Sequence, residues 1–145
     1  MSFSRKRAGL AQYGSVATES EVQYASPHRL VQMLMEGALD KVATAKGHML
    51  RGELEGKSRH ISWAMSIVNG LRSSLDPASG GEIATNLDDL YGYMLSRLID
   101  ANASNEVGIL DEVTGLLIEI KGAWDAMPDE IKQKPPASGV SGGMQ

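Results

Sequence analysis

The stretch Ser26-Pro27-His28-Arg29-Leu30-Val31-Gln32-Met33-Leu34-Met35-Glu36-Gly37-Ala38-Leu39-Asp40-Lys41-Val42-Ala43-Thr44-Ala45-Lys46-Gly47-His48-Met49-Leu50 decides the architecture. Ser26 suits an N-cap, because its side-chain oxygen can accept from a first-turn amide. Pro27 suits the first helical position, where an N–H would have had no intrahelical partner. Beyond it Leu30, Leu34, Ala38, Val42, Ala45 and Met49 recur at three- and four-residue steps, and Val31, Met35 and Leu39 form a second apolar line. The spacing predicts a helix over 27–50 that touches partners on more than one side. The second line exceeds what one packing face needs and is read as a binding surface.

Working outward, Gly52 permits a tight reversal. Ile61, Ala64, Met65, Val68, Leu71 and Leu75 then carry a second helical stripe from about Glu53 until Asp76-Pro77 ends it. Ser79-Gly80-Gly81-Glu82 reads as a capping box that starts a third helix over about 81–103, with Ile83, Leu87, Leu90, Tyr91, Met94 and Leu98 as its core line. Asn102 to Asn105 form a polar turn. A fourth helix over 105–127 follows, in which Leu110, Val113, Leu117, Ile120 and Trp124 show the near-heptad spacing of a bundle seam, and Pro128 is its stop. Short connections make successive helices antiparallel neighbours, so the fold expected is all-α, an up-down four-helix bundle over 25–128. Residues 1–24 lack a sustained period and read as a mobile arm with one helical turn near Leu10 to Tyr13. Residues 129–145, rich in Pro, Gly and Ser from Lys134 on, read as a disordered tail.

The totals agree. A chain of 145 residues with 42% hydrophobic content suits one core. One Phe, two Trp and four Tyr beside eight Met favour helix packing over strand packing. No cysteine is present, which removes disulfides, thiolate metal sites and a Cys nucleophile. Arg5, Lys6 and Arg7 precede too short an apolar run for a signal segment, and no apolar span of about 20 residues follows, so a cytoplasmic protein without membrane insertion is expected. A net charge of −4 with scattered Lys and Arg argues against a nucleic-acid footprint.

Catalytic readings find little. Gly52-Glu53-Leu54-Glu55-Gly56-Lys57-Ser58 looks like a phosphate loop but has three residues between its glycines instead of four, follows no strand and carries two glutamates. A di-metal bundle site needs Glu-x-x-His pairs, and none of His28, His48 or His60 has a Glu three residues before it, so neither metal nor cofactor is expected. His48-Met49-Leu50-Arg51-Gly52 resembles the strip of phosphotransfer bundles, although that His falls in a last helical turn. What remains is apolar surface. Met33, Met35, Met49, Met65, Met94 and Met127 lie in or beside the stripes, and flexible thioethers suit a groove that adapts to a partner helix. A non-enzymatic binding protein is the expected class, with a generic interaction bundle or a His48 phosphotransfer domain as alternatives.

Two stretches carry a family resemblance. The first is Ala25-Ser26-Pro27 with Leu30-Val31 and Met33-Leu34-Met35-Glu36-Gly37-Ala38. The second is Leu75-Asp76, Gly80-Gly81-Glu82-Ile83-Ala84, Asn86-Leu87, Leu90-Tyr91, Tyr93-Met94, Leu98 and Ala101-Asn102, followed by Glu112-Val113 and Trp124. Together they resemble the FliS family of flagellar export chaperones over about Tyr13 to Trp124. The family usually has Tyr where Met35 stands, and a small residue or Thr where Tyr24 stands. The resemblance implies a four-helix bundle that binds the disordered C-terminal region of flagellin, prevents premature polymerisation and delivers the complex to the type III export gate protein FlhA. It implies flagellin contacts at Leu30, Met33, Leu34, Gly37, Asn86, Tyr91 and Met94, and an N-terminal plug of Leu10, Tyr13 and Val16 lying in the partner groove. A plug that can enter a neighbour's groove leaves a swapped homodimer open.

Overall fold

Ser26 does cap the first helix, accepting from the Arg29 amide at 3.1 Å, and Pro27 takes the first helical position. The computed structural model describes residues 25–128 and contains four helices: α1 (Pro27–Leu50), α2 (Leu54–Ser73), α3 (Pro77–Ser104) and α4 (Val107–Asp125). The expected arm and tail lie outside the described residues. Each helix packs against its neighbours in sequence, and α4 closes the ring against α1, giving the up-down four-helix bundle.

Each reversal has a local cause. After α1 the chain forms a Schellman turn, in which the Glu53 amide donates to the His48 carbonyl at 2.9 Å and the Gly52 amide to the Met49 carbonyl at 3.2 Å. Gly52 holds φ +74 there, a conformation that costs glycine little. Between α3 and α4 the left-handed residue is Asn105, with φ 59 and ψ 33.

The link between α2 and α3 differs from the sequence expectation. The second helix ends at Ser73 rather than Leu75, and Asp76-Pro77 opens α3 rather than merely ending α2. The Asp76 side chain accepts from the Ala78 amide at 3.0 Å and Pro77 takes the first turn, the same arrangement as Ser26-Pro27. The expected start at Gly81 coincides with a kink, φ 59 and ψ −133, at which a short first segment from Pro77 meets the long helical segment that follows, and α3 is the two together. Asn102 to Ser104 remain helical, and the expected polar turn shrinks to Asn105 and Glu106.

The core is built at heptad-like steps from all four helices. Met35, Ala38, Val42 and Ala45 of α1 meet Ile61, Ala64, Ile67, Val68 and Leu71 of α2, with Tyr91, Met94 and Leu98 of α3 and Leu110, Val113 and Leu117 of α4. Each large aliphatic side chain removed from water contributes roughly 1.5–3 kcal/mol before ordering costs. Two expectations are corrected. Val31, Met35 and Leu39, read as a spare apolar line, pack into or against this core, because α1 has two neighbours, α2 and α4, and needs two apolar lines to meet them. Ile83, read as core, is 68% exposed, and Ala84 is the buried residue of that turn. The seam of α3 runs Ala84, Leu87, Tyr91, Met94, Leu98, Ala101, and Ile83 stands one residue out of phase with it.

Candidate docking surface

A bundle whose inner faces are satisfied shows its partner surface by what apolar material stays outside. The large exposed apolar residues among those described are Leu50 and Leu54 beside the α1–α2 turn, Ile83, Tyr93 and Ile99 on α3, and Ile118 on α4. Isolated exposed aliphatics are ordinary, so their grouping along the seams matters more than their number.

Two of the four seams carry polar side-chain links at both ends, and a third carries a ring ladder over the half nearest its turn. Across α1–α4, Gln32 donates to Asp125 at 2.6 Å, Lys121 lies 3.8 Å from Glu36, and Lys46 donates to Asp111 at 2.7 Å. At the far end of this seam His28 and Trp124 are linked by two hydrogen bonds and stacked rings. Across α2–α3, Arg72 donates to Asp88 at 2.8 Å, while Lys57 Nζ donates to the Asn102 carbonyl at 2.8 Å and Ser58 Oγ to Asn102 Oδ1 at 3.0 Å. On the α1–α2 side a ladder runs from His48 through His60 to Trp63, with ring centroids 5.1 and 5.8 Å apart and Lys41 Nζ 3.9 Å above the Trp63 ring.

The α3–α4 seam is different. Its side-chain polar link among the described residues is one cluster, in which Tyr93 Oη donates to Glu112 Oε2 at 2.5 Å and Arg97 Nε to Glu112 Oε1 at 2.9 Å. The Tyr93 hydroxyl first and Arg97 second hold the Glu112 carboxyl below its ordinary range, and the same bond raises the Tyr93 hydroxyl. Because the helices are antiparallel, this link places Leu90 level with Leu116, Asn86 with Ile120 and Ile83 with Ala123. Leu90, Leu116 and Ile120 are half-buried, Ile83, Asn86 and Ala123 exposed. Below Tyr93 the seam thus holds Leu116 and Ile120, half-buried and packed against the core, with half-buried Leu90 and exposed Ile83 at its outer edge.

The residues singled out from sequence are not gathered on one surface. Leu30, Met33, Leu34 and Gly37 belong to α1, while Asn86, Tyr91 and Met94 belong to α3, diagonally across the ring. Met33, Leu34, Gly37, Tyr91 and Met94 are buried, Leu30 is half-buried and Asn86 exposed. Burial pushes the Tyr91 hydroxyl up to about 12. Leu10, Tyr13 and Val16 lie outside the described residues. Sequence reasoning missed Leu116, Ile118 and the acidic rim of α3–α4, since neither an inter-helix register nor a face-by-face charge division is visible before the helices are paired.

The catalytic readings have no geometry behind them. Gly56 and Lys57 of the phosphate-loop look-alike are buried inside α2, with the ammonium spent on the Asn102 carbonyl. His48 donates through Nδ1 to Glu53 Oε1 at 2.7 Å and its ring stacks on His60, so the imidazole is held between a carboxylate and a second ring. Among the described residues no group of three or more His, Asp or Glu is placed to hold a metal ion, and no helix is long and apolar enough to cross a membrane.

Comparison with known proteins places this bundle. The sequence model of the family described as "Flagellar protein FliS" matches residues 9–131. The chain belongs to the FliS family. It is 48% identical over 118 residues to the flagellar secretion chaperone FliSB of Pseudomonas aeruginosa, covering 81% of this chain and 94% of that protein. It is 40% identical over 124 residues to the flagellar secretion chaperone FliS of Vibrio cholerae, covering 86% and 91%. To the flagellar secretion chaperone FliS of Salmonella typhimurium it is 43% identical over 118 residues, covering 81% and 87%. The family is thus one whose named relatives are flagellar secretion chaperones, a non-enzymatic role.

Proposed function

We propose that this FliS-family bundle binds the disordered C-terminal region of flagellin in the cytosol, keeps the subunit from polymerising and presents it to the export gate protein FlhA. The observation that carries the reading is the set of exposed aliphatic and aromatic side chains on a bundle whose interior is already filled, in a chain related to flagellar secretion chaperones. A disordered segment that orders on such a surface spreads many weak apolar contacts over a large area, and the ordering cost keeps the complex releasable. Leu30 and Asn86 reach solvent for direct contact. Met33, Leu34, Gly37, Tyr91 and Met94 shape the surface from beneath.

Isothermal titration of the full chain with the C-terminal region of flagellin tests this. The expected result is 1:1 binding with helix gain by circular dichroism and a negative heat-capacity change. No heat and no helix gain at tens of micromolar flagellin, about the ceiling of a useful chaperone affinity, would overturn the reading. Leu10, Tyr13 and Val16 act as a plug displaced by the cargo, so deleting residues 1–16 speeds association. Size-exclusion chromatography with light scattering on the same deletion shows whether the plug also holds a homodimer together.

A further inference from the structure

We infer that the α3–α4 seam between Ile83 and Tyr93 receives an amphipathic helix of the cargo, and that this helix carries Lys or Arg along the flanks of its aliphatic face. The inference rests on the proposed cargo reading and adds where one cargo helix lies and with what chemistry.

The seam is the one least closed by the bundle itself. α3 and α4 make the sparsest contact of the four neighbouring pairs, and the Tyr93–Glu112–Arg97 cluster ties only one end of the strip. Below it lie Leu90, Leu116, Ile120 and the exposed Ile83, all apolar. From Ile83 to Tyr93 the strip is about 15 Å long, room for roughly three helical turns. Gly115 and Gly122 stand on the outer side of α4 beside Glu119, and nothing lies within 4 Å of where their Cβ atoms would be, so a helix backbone can approach closely.

Charge selects the occupant. In α3 and α4 the acidic residues are Glu82, Asp88, Asp89, Asp100, Asp111, Glu112, Glu119 and Asp125, against Arg97 and Lys121 alone. Both cations are engaged, Arg97 with Glu112 and Asp100 and Lys121 with Asp125. Of the rim carboxylates, Glu82 and Glu119 are exposed and have no ion pair among the described residues, and Asp89 only senses Arg72 at a distance. α1 and α2 have the opposite balance, with Arg29, Lys41, Lys46, Lys57, Arg59 and Arg72 against Glu36, Asp40 and Glu55. An aliphatic strip rimmed by unspent carboxylates favours a helix with aliphatic residues inward and cations at its edges, and it repels an acidic one.

The chain contains no cysteine, so single thiols can be placed at will. Asn86→Cys puts an environment-sensitive fluorophore in this seam. Ile99→Cys puts one on the α2 side of α3, on the stripe of Asp88 and Gly92 that meets Arg72. On titration with the C-terminal region of flagellin, the Asn86→Cys label shifts to the blue and the Ile99→Cys label does not. Ile83→Asp weakens binding by about tenfold. Raising NaCl from about 50 to about 300 mM weakens binding severalfold, and Glu82→Gln with Glu119→Gln removes most of that dependence. Binding of full affinity that leaves the Asn86→Cys label and the salt response flat, or a label that responds to deletion of residues 1–16 but not to flagellin, overturns the inference and leaves the cargo reading standing. Absence of binding by calorimetry as well overturns both.

Discussion

His28 and Trp124 fasten the first turn of α1 to the last turn of α4 by exchanging hydrogen bonds. His28 Nε2 donates to the Trp124 carbonyl at 2.8 Å, Trp124 Nε1 donates to the His28 carbonyl at 3.0 Å, and the two rings stack with centroids 4.9 Å apart and planes 10° from parallel. The pair closes the ring at the end where both terminal segments leave the bundle. Trp124→Ala removes the ring and both of its side chain's roles, and should cost about 2–3 kcal/mol in urea unfolding. Trp124→Phe keeps an apolar ring but removes the indole donor that bonds the His28 carbonyl, and should cost about 1 kcal/mol. Equal losses for the two variants would mean that the hydrogen bond, not the ring, does all the fastening.

Two glycines of α2 should answer an alanine substitution with opposite signs. A Cβ on Gly56 would lie 2.5 Å from His48 Nδ1 and 2.8 Å from His48 Cγ, so the whole imidazole would have to leave both Glu53 and the His60 stack. Gly70 has nothing within 4 Å. Gly70→Ala should therefore stabilise by about 0.5–1 kcal/mol through helix propensity, and Gly56→Ala should destabilise by about 1–2 kcal/mol despite the same gain. Adding His48→Ala to Gly56→Ala should recover most of the loss. A strictly additive double-mutant cycle would contradict the clash.

Those contrasts show why some features were legible in the sequence and others were not. Ser26-Pro27 carries its own physics, a side-chain cap followed by a residue with no amide to satisfy, and so do the three-and-four steps of α4. Asp76-Pro77 has the same chemistry but is ambiguous in the sequence, because an X-Pro step both ends one helix and begins the next. Ile83 and Ala84 are adjacent and apolar, so the steps Ile83–Leu87–Leu90–Met94 and Ala84–Leu87–Tyr91–Met94 compete, and only the packed bundle chooses between them. Val31, Met35 and Leu39 look spare in the sequence because periodicity tells how wide an apolar face is but not how many helices share it. The His28–Trp124 pairing spans nearly the whole bundle in sequence, and the thinly packed α3–α4 seam depends on a register that no single helix encodes.

Lys57 is buried yet places its ammonium 2.8 Å from the carbonyl of Asn102, one of the acceptors that the last turn of α3 leaves without an intrahelical donor. Beside it Ser58 Oγ donates to the Asn102 side chain. Lys57→Met matches the length and apolar stem but removes the donor, and should cost about 1–2 kcal/mol in chemical unfolding with the frayed end of α3 showing faster amide exchange. Unchanged exchange in residues 99–104 would mean that solvent serves those carbonyls equally well.

The exposed carboxylates that tie the helices together set the acid limit of the fold. Glu112 is held below its ordinary value of 4.5 by the Tyr93 hydroxyl and then Arg97, and Asp88 below 3.8 by Arg72. Asp125 is lowered first by Lys121, and Glu53 first by His48 and then Arg51. A carboxyl whose folded value is depressed contributes stability that is present above its unfolded value and lost as pH falls through the folded one. The melting temperature should accordingly drop as pH is lowered from about 5 to about 3, while Glu112→Gln, which removes one titrating partner, should melt lower at neutral pH and lose less over that interval. The effect of each group is small because all are solvent-screened, so the comparison is of slopes between the two proteins. Parallel slopes for the parent and Glu112→Gln would show that the Tyr93–Glu112–Arg97 cluster contributes nothing to the acid transition.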